Sequence, residues 1–384
     1  MNKITRKIRL ALAAIAASVV VAFGAFQAVA ADVDTNEVVA VANSADVGLP
    51  AASVAATDVI SLPPPPQEVD AQAVIVQPFT AQWLARRVGD LCQGGTAVVS
   101  LKFVFFILFV FAAYFAAPSR AKPYILLTAS VFFYLTFKPA AMVFLAASIL
   151  SVYAGALLAK KVPCPKVVLF AVVAFNIGVL AFSKYGTYLF TGASIIVPLG
   201  ISFYTLQAVA YMVDVCKGKI APERNPLKLF LFLSFFPIIM QGPISRYEQL
   251  GSQLWTPHAF SLDALRSGLQ LALWGFFKKM VIADRAGIFV DSVFAPDSSA
   301  QGFVIVIGAI MYSIQIYADF SGCVDISRGI SQCLGIDLAK NFNHPYFAVS
   351  VQDFWRRWHI SLSSWLKDYV YIPLGGSRKG MVRK

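Results

Sequence analysis

From residue 97 onward the sequence is dominated by apolar runs, at 97–117, 124–137, 140–159 and 167–182, divided only by short turns. A helix needs about 20 residues to cross the hydrocarbon core of a bilayer. The run at 124–137 is short for this and needs its flanks, or a partly re-entrant path, to reach across. Hydrophobic residues make up 58% of the chain and charged residues 14%, with a mean hydropathy of +0.69. A soluble domain carries nearer about 25% charge. The chain is therefore predicted to be an all-α, polytopic integral membrane protein.

The formal charge is +12, but the basic residues gather in short clusters between apolar runs: Arg120/Lys122, Lys160/Lys161/Lys166, Lys217/Lys219 and Lys278/Lys279. That pattern marks cytoplasmic loops and not a nucleic-acid groove. The five cysteines include no C-x-x-C pair and no metal-like spacing with histidine, so they read as small buried hydrophobes, with no metal site.

Residues 1–30 have the form of a secretory signal. Lys3, Arg6, Lys7 and Arg9 precede an apolar core, Leu10–Phe26, and Ala28-Val29-Ala30 supplies a cleavage site. An uncleaved anchor helix is the competing reading, and both place the next residues outside the cytoplasm. Residues 31–85 carry seven Asp or Glu and no Lys or Arg. With Pro63–Pro66 and no sustained period, the Ala/Val/Pro-rich segment 31–96 reads as an exported, acidic, disordered linker. If residue 96 lies outside, Arg120/Lys122, Lys160/Lys161 and the 217–228 loop all fall inside. The positive-inside rule and the signal segment thus predict one multi-pass topology.

Past residue 195 the pattern changes. Pro198, Gly200, Ser202, Gln207 and Asp214 interrupt one apolar run, and Pro237, Gln241, Gly242 and Pro243 end the next. Irregular backbone at membrane depth is tolerated only against protein or a water-filled cavity, so the second half is expected to carry the function. Residues 262–282 are more amphipathic and fit either an interfacial helix or a further span. The segment 303–318 leads into Asp319 and Asp325, which follow the apolar helix closely; one or both are expected in a polar cavity.

Phe354-Trp355-Arg356-Arg357-Trp358-His359 then packs indole, guanidinium and imidazole groups into six residues. His359, one of three histidines, begins a predicted helix. A neutral imidazole there could take a proton from a hydroxyl, oriented by a carboxylate or carbonyl; Asp319, Asp325 and Asp353 are the candidates. The plainer alternative is a hydrogen bond between helices. Arg356 and Arg357 fit either an anionic group or lipid headgroups. No G-x-S-x-G elbow accompanies Ser363, and Gly375–Gly380 lacks phosphate-loop spacing, reading instead as a tight turn before a basic stretch.

Five segments in order, SFYTLQAVAYMVDV (Ser202–Val215), FFPIIMQGPISRY (Phe235–Tyr247), IQIYADFSGCVDISRGI (Ile314–Ile330), NFNHPY (Asn341–Tyr346) and FWRRWHISLSSWLKDYVYIPLGGSRKG (Phe354–Gly380), resemble the membrane-bound O-acyltransferase (MBOAT) family. The resemblance covers about residues 97–384 and is nearest the branch that acetylates alginate. It implies a multi-helix bundle with a funnel through the bilayer, and transfer of an acetyl group from a cytoplasmic donor to hydroxyls of an exocellular polysaccharide. Acetyl-coenzyme A or a carrier derived from it would be the donor, with no permanently bound cofactor. Membrane lipids, the polysaccharide and periplasmic acetylation proteins would be its partners.

On this resemblance His359 is the catalytic residue. Trp355, Arg356 and Trp358 share its motif, and Asp319, Ser321, Gly322 and Asn343 match further family positions. A second family histidine, in a later helix, has no counterpart before Lys384, so the domain at 97–384 is expected to lack its C-terminal helices. D-alanyl transfer to teichoic acid and a non-catalytic scaffold are the alternatives. A transporter would be expected to show internal repeat symmetry, and no repeat is seen.

Overall fold

The computed structural model describes residues 101–136, 139–189, 197–239, 241–295 and 298–376. The signal or anchor segment and the acidic linker lie outside them, as does the basic stretch after Gly376. Every regular element among the described residues is helical. Three helices, Pro139–Ala159, Pro165–Gly186 and Phe303–Cys333, are long and apolar enough to cross a membrane, and three shorter apolar ones accompany them, Lys102–Ala116, Lys122–Leu135 and Ile201–Cys216. The architecture is that of an all-α, polytopic membrane protein.

The first unit is a bundle of α1 (Leu101–Ala116), α2 (Lys122–Leu135), α3 (Met142–Ala159), α4 (Pro165–Leu189), α5 (Ile201–Cys216) and α6 (Pro226–Ser234). Helix starts follow local chemistry. Pro123, Pro165 and Pro226 sit at first-turn positions where the missing N–H costs nothing. Asn225 caps α6 by accepting from the Leu227 N–H at 2.9 Å. Large rings fill the centre, with Tyr114, Phe133, Tyr134, Tyr204, Tyr211 and Phe232 all buried. Between α3 and α4, Asn176 bonds Ser148, the Ser151 hydroxyl at 3.0 Å and the Val172 carbonyl at 2.9 Å, so this buried amide is satisfied within the protein.

Two sequence expectations change here. Lys122 is not a free loop charge. Its ammonium is buried, donates to the His258 carbonyl at 2.6 Å and lies 5.1 and 5.2 Å from the ring centres of Tyr114 and Phe115. Gln207 and Asp214 do not interrupt α5, which runs unbroken with both side chains buried. The irregular backbone comes at its ends. Gly200 has φ +67°, and a Cβ there would stand 1.9 Å from the Ile239 carbonyl oxygen. After α6 the chain breaks at Phe235, makes the four-residue α7 (Phe236–Ile239) and turns into α8 (Tyr247–Trp255).

The second unit is a helical hairpin. One arm consists of α9 (Leu262–Phe276), a widened π-helical turn (Phe277–Ala283) and α10 (Asp284–Val293); the other is α11 (Phe303–Cys333). The segment 262–282 therefore packs along α11. Glycines allow the approach: a Cβ at Gly275 would lie 2.6 Å from the Gly322 carbonyl oxygen, and one at Gly329 would lie 2.5 Å from the Gly268 carbonyl oxygen. α11 continues through Asp319 and Asp325, so these residues lie within the helix and do not follow it.

Lys278 and Lys279, expected in a cytoplasmic loop, face that helix instead. Lys278 reaches Asp325 at 2.6 Å and Ser321 at 3.0 Å, and Lys279 reaches Asp319 at 2.6 Å and Asp284 at 3.0 Å. Consecutive residues of a regular helix point about 100° apart; here, in the wider turn, both ammonium groups reach carboxylates of α11. Arg328 adds a 3.5 Å contact to Asp325.

Gly329→Val should destabilise the protein by about 1–3 kcal/mol through overpacking, read as a lower melting temperature in detergent by fluorescence-detected size exclusion. Gly178→Ala, in the interior of α4 with nothing within 4 Å of the added Cβ, should melt at or above wild type; equal melting of both variants would refute the close-contact account.

Candidate active site

α11 ends at Gly335, whose φ of +82° turns the chain back. The returning segment is tied down by Arg328, whose Nε donates to the Leu338 carbonyl at 3.2 Å. It then runs beside the break between α12 (Val351–Arg357) and α13 (Ile360–Leu366). Two backbone bonds join them, Asn343 N–H to Arg357 O and Ile360 N–H to Asn341 O, each 2.9 Å. Ser350 caps α12, its hydroxyl accepting from the Asp353 N–H at 3.1 Å.

His359 occupies the break. Its φ of +42° puts a non-glycine residue in the left-handed region, a conformation shared with His344 at +47°. Such a residue costs about 1–2 kcal/mol and persists where its surroundings over-determine it. Here the following two N–H groups are both held by Asn341, Ile360 by its carbonyl and Ser361 by its side-chain Oδ1 at 2.9 Å. The same Oδ1 lies 3.3 Å from His359 Nδ1. Asn341 is 1% exposed, and its Nδ2 finds no partner among the described residues. Ser361 in turn accepts from the Ile244 N–H at 3.0 Å, fixing the break to the chain between α7 and α8.

A set of aromatic rings surrounds the histidine. Phe320 meets the imidazole edge-to-face at 4.8 Å and Phe342 at 5.0 Å. Trp358 stacks on Phe354 at 5.5 Å and contacts Phe342 at 5.1 Å and Tyr317 at 6.1 Å. Tyr317 and Phe320 lie near the middle of α11, a span-length helix. The segment 341–361 therefore brings His359 beside the middle of α11. Burial holds the imidazole down to about 4, so it is neutral at ordinary pH. On the other side, Trp365 Nε1 donates to the Leu206 carbonyl at 2.9 Å and the Tyr369 hydroxyl to Asp214 at 2.7 Å, anchoring α13 and the turn after it to α5.

The structure brings His359 and Trp358 together and distributes the other sequence candidates around them. Trp355 is 55% exposed, touching Phe354 at 5.5 Å, and Arg356 is exposed on the same helix. Ser321 is buried against Lys278, and Asp319 is committed to Lys279. Asn343 is exposed, with Oδ1 3.2 Å from His344 Nδ1. The carboxylates proposed to orient His359 are engaged elsewhere. Asp325 binds Lys278 and Arg328, and Asp353 binds Arg357 at 2.9 Å. The bond from Arg357 holds the Asp353 carboxyl below its usual range.

The orienting group is the amide of Asn341, which was not among the residues singled out from sequence. In N-F-N two asparagines stand two apart, one buried and one exposed, and residue type alone does not rank them. A separate apolar groove of about 780 Å³ between α1 and α2, lined by residues such as Phe105, Phe109, Tyr124 and Phe132, contains none of these residues.

A polytopic helical membrane protein with a half-buried neutral histidine at a helix break is the class this geometry defines. The model of the membrane-bound O-acyltransferase family matches residues 96–384, and the chain belongs to that family. It is 35% identical over 284 residues to the probable alginate O-acetylase AlgI of Pseudomonas fluorescens, covering 72% of this chain and 57% of that one. It is 37% identical over 240 residues to the peptidoglycan O-acetyltransferase of Helicobacter pylori, covering 53% and 46%. A teichoic acid D-alanyltransferase of Bacillus subtilis is 33% identical over 182 residues, covering 45% of each chain. The chain thus spans less than two thirds of the length of these curated relatives.

Trp358→Ala should cost about 3–5 kcal/mol by removing a ring from the packed cluster, whereas exposed Trp355→Ala should stay within about 0.5 kcal/mol. Melting curves of the two variants in one detergent check the difference, and an equal loss would contradict this placement.

Proposed function

We propose that the full-length protein is an O-acyltransferase of a bacterial inner membrane that moves an acetyl group from a cytoplasmic donor to hydroxyls of an exocellular, alginate-like polysaccharide. The observation that carries this reading is the half-buried, neutral His359, held by Asn341 beside the middle of α11 in a chain of this family. The acetylating relatives are matched over more of this chain than the D-alanyl-transferring one, which favours acetyl as the group transferred. Acetyl-coenzyme A or an acetyl carrier derived from it is the donor in this proposal. The acceptor is the polysaccharide or a periplasmic partner protein that delivers the group onward.

His359 acts as general base. Its neutral ring takes the proton of the acceptor hydroxyl as the oxygen attacks the acyl carbonyl. The C–O bond forms, the C–S bond of a thioester donor breaks, and the imidazolium returns the proton to the departing sulfur. A positioned base of this kind contributes about 10²- to 10⁴-fold in rate. Phe320, itself packed on Phe342, covers one side of the ring, and this partial burial depresses its pKa.

In the full-length protein, His359→Ala should lower polymer acetylation by about 10²-fold or more while membrane insertion is unchanged. Mass spectrometry of the polymer reads both the extent and the acyl group. Unaltered acetyl content would remove His359 from the chemistry and favour a scaffolding role, and D-alanyl esters would replace the acetyl assignment.

The pH dependence has a defined sign. A base whose imidazole titrates at about 4 stays competent as pH falls through 6.5 and is lost only near 4. Rates of the solubilised full-length protein should therefore hold their plateau down to about pH 5; a fall centred at 6.5 would indicate a water-exposed histidine.

A further inference from the structure

We infer that Asn341 is the positioning residue that sets the working tautomer of His359: its Oδ1 accepts the Nδ1–H and leaves the Nε2 lone pair to meet the acceptor hydroxyl. The inference rests on the assignment of His359 as the base. It is carried by a chain of donors and acceptors. The Ser361 N–H can only donate, and it lies 2.9 Å from one atom of the Asn341 amide. That atom must therefore be the oxygen, because the NH₂ group would oppose donor to donor. The same oxygen lies 3.3 Å from His359 Nδ1. An oxygen that only accepts requires a proton on Nδ1, and a neutral imidazole carries one proton, so Nε2 is left as the acceptor.

The main chain supports the same geometry. Ile360 N–H on the Asn341 carbonyl fixes both the amide and the left-handed turn at His359. The groups pressed on the imidazole, Phe320 of α11 and Asn341, do not titrate. The charged residues and further histidine of the neighbouring elements are Asp319, Asp325 and Arg328 on α11, Asp337, Lys340 and His344 on the returning segment, Asp353, Arg356 and Arg357 on α12, and Lys367 and Asp368 after α13. Asp319, Asp325 and Arg328 are paired within the hairpin, Asp353 with Arg357, and Asp368 with Arg246 at 2.7 Å. Burial, and no neighbouring charge, is what holds the ring neutral.

Two substitutions test this in detergent-solubilised full-length protein supplied with radiolabelled acetyl-coenzyme A and alginate. Asn341→Asp keeps an acceptor for both donors but adds a negative charge beside Nδ1. The plateau rate should survive, and the acid limb should move up by about 1–3 pH units. Asn341→Leu removes the acceptor at similar volume, and kcat should fall by about 10²- to 10⁴-fold with KM within twofold.

A folded Asn341→Asp protein with the wild-type acid limb overturns the inference, as does an Asn341→Leu protein with wild-type kcat. If the leucine variant fails to insert, the aspartate variant decides alone, since a merely structural asparagine would not move a pH profile. His359→Ala separates the two levels: its full activity would sink the base assignment itself, whereas its inactivity with an unmoved Asn341→Asp limb would sink only the role of Asn341.

Discussion

A backbone that leaves helical geometry at membrane depth must find its hydrogen-bond partners inside the protein, because lipid supplies none. The break between α12 and α13 lies beside the middle of the span-length α11, and the arrangement around His359 depends on how its backbone is satisfied. Asn341 receives two successive N–H groups, one on its carbonyl and one on its side chain. Ser361 passes the connection on to Ile244. An unpaired buried backbone group costs about 1–3 kcal/mol, so these bonds compensate for the break as well as for the left-handed conformation of His359. The imidazole is oriented by the same amide that repairs the chain.

The helical hairpin solves a related problem with charge. Lys278 and Lys279 stand in a widened turn opposite Asp325 and Asp319 of α11. A lone buried ion would be strongly destabilising, but paired ions with further hydrogen bonds are tolerated. Glycine contacts bring the two arms close enough for these pairs to form. α11 also carries Tyr317 and Phe320 toward the returning segment. One long helix thus supports both the ion pairs and the aromatic rings at the histidine, and a shift of the hairpin would disturb both.

Much of this was legible in the residues. The apolar runs pointed to helices in a bilayer, and the run of indole, guanidinium and imidazole groups marked the region where the chain leaves helical geometry. What residue type could not rank were neighbours of like chemistry. Three aspartates were plausible partners for His359, and all three are committed to Lys279, Lys278 or Arg357. Lys122 and Lys278 counted as loop charges, yet both are buried with partners far away in sequence. Polar residues in α5 looked like interruptions, but Asp214 is satisfied by Tyr369, 155 positions on.

By itself the sequence determined the solvent and the class: length and hydropathy of the runs require helices whose backbone pairs internally, and five ordered motifs identify the family. Only the tertiary structure decided that Asn341 and not Asn343 faces His359, that Trp358 is packed while Trp355 is exposed, and that the imidazole is half-buried. The reason is physical. Helix formation depends on neighbours along the chain, whereas the orientation and protonation of a side chain depend on groups that the fold brings together from distant positions.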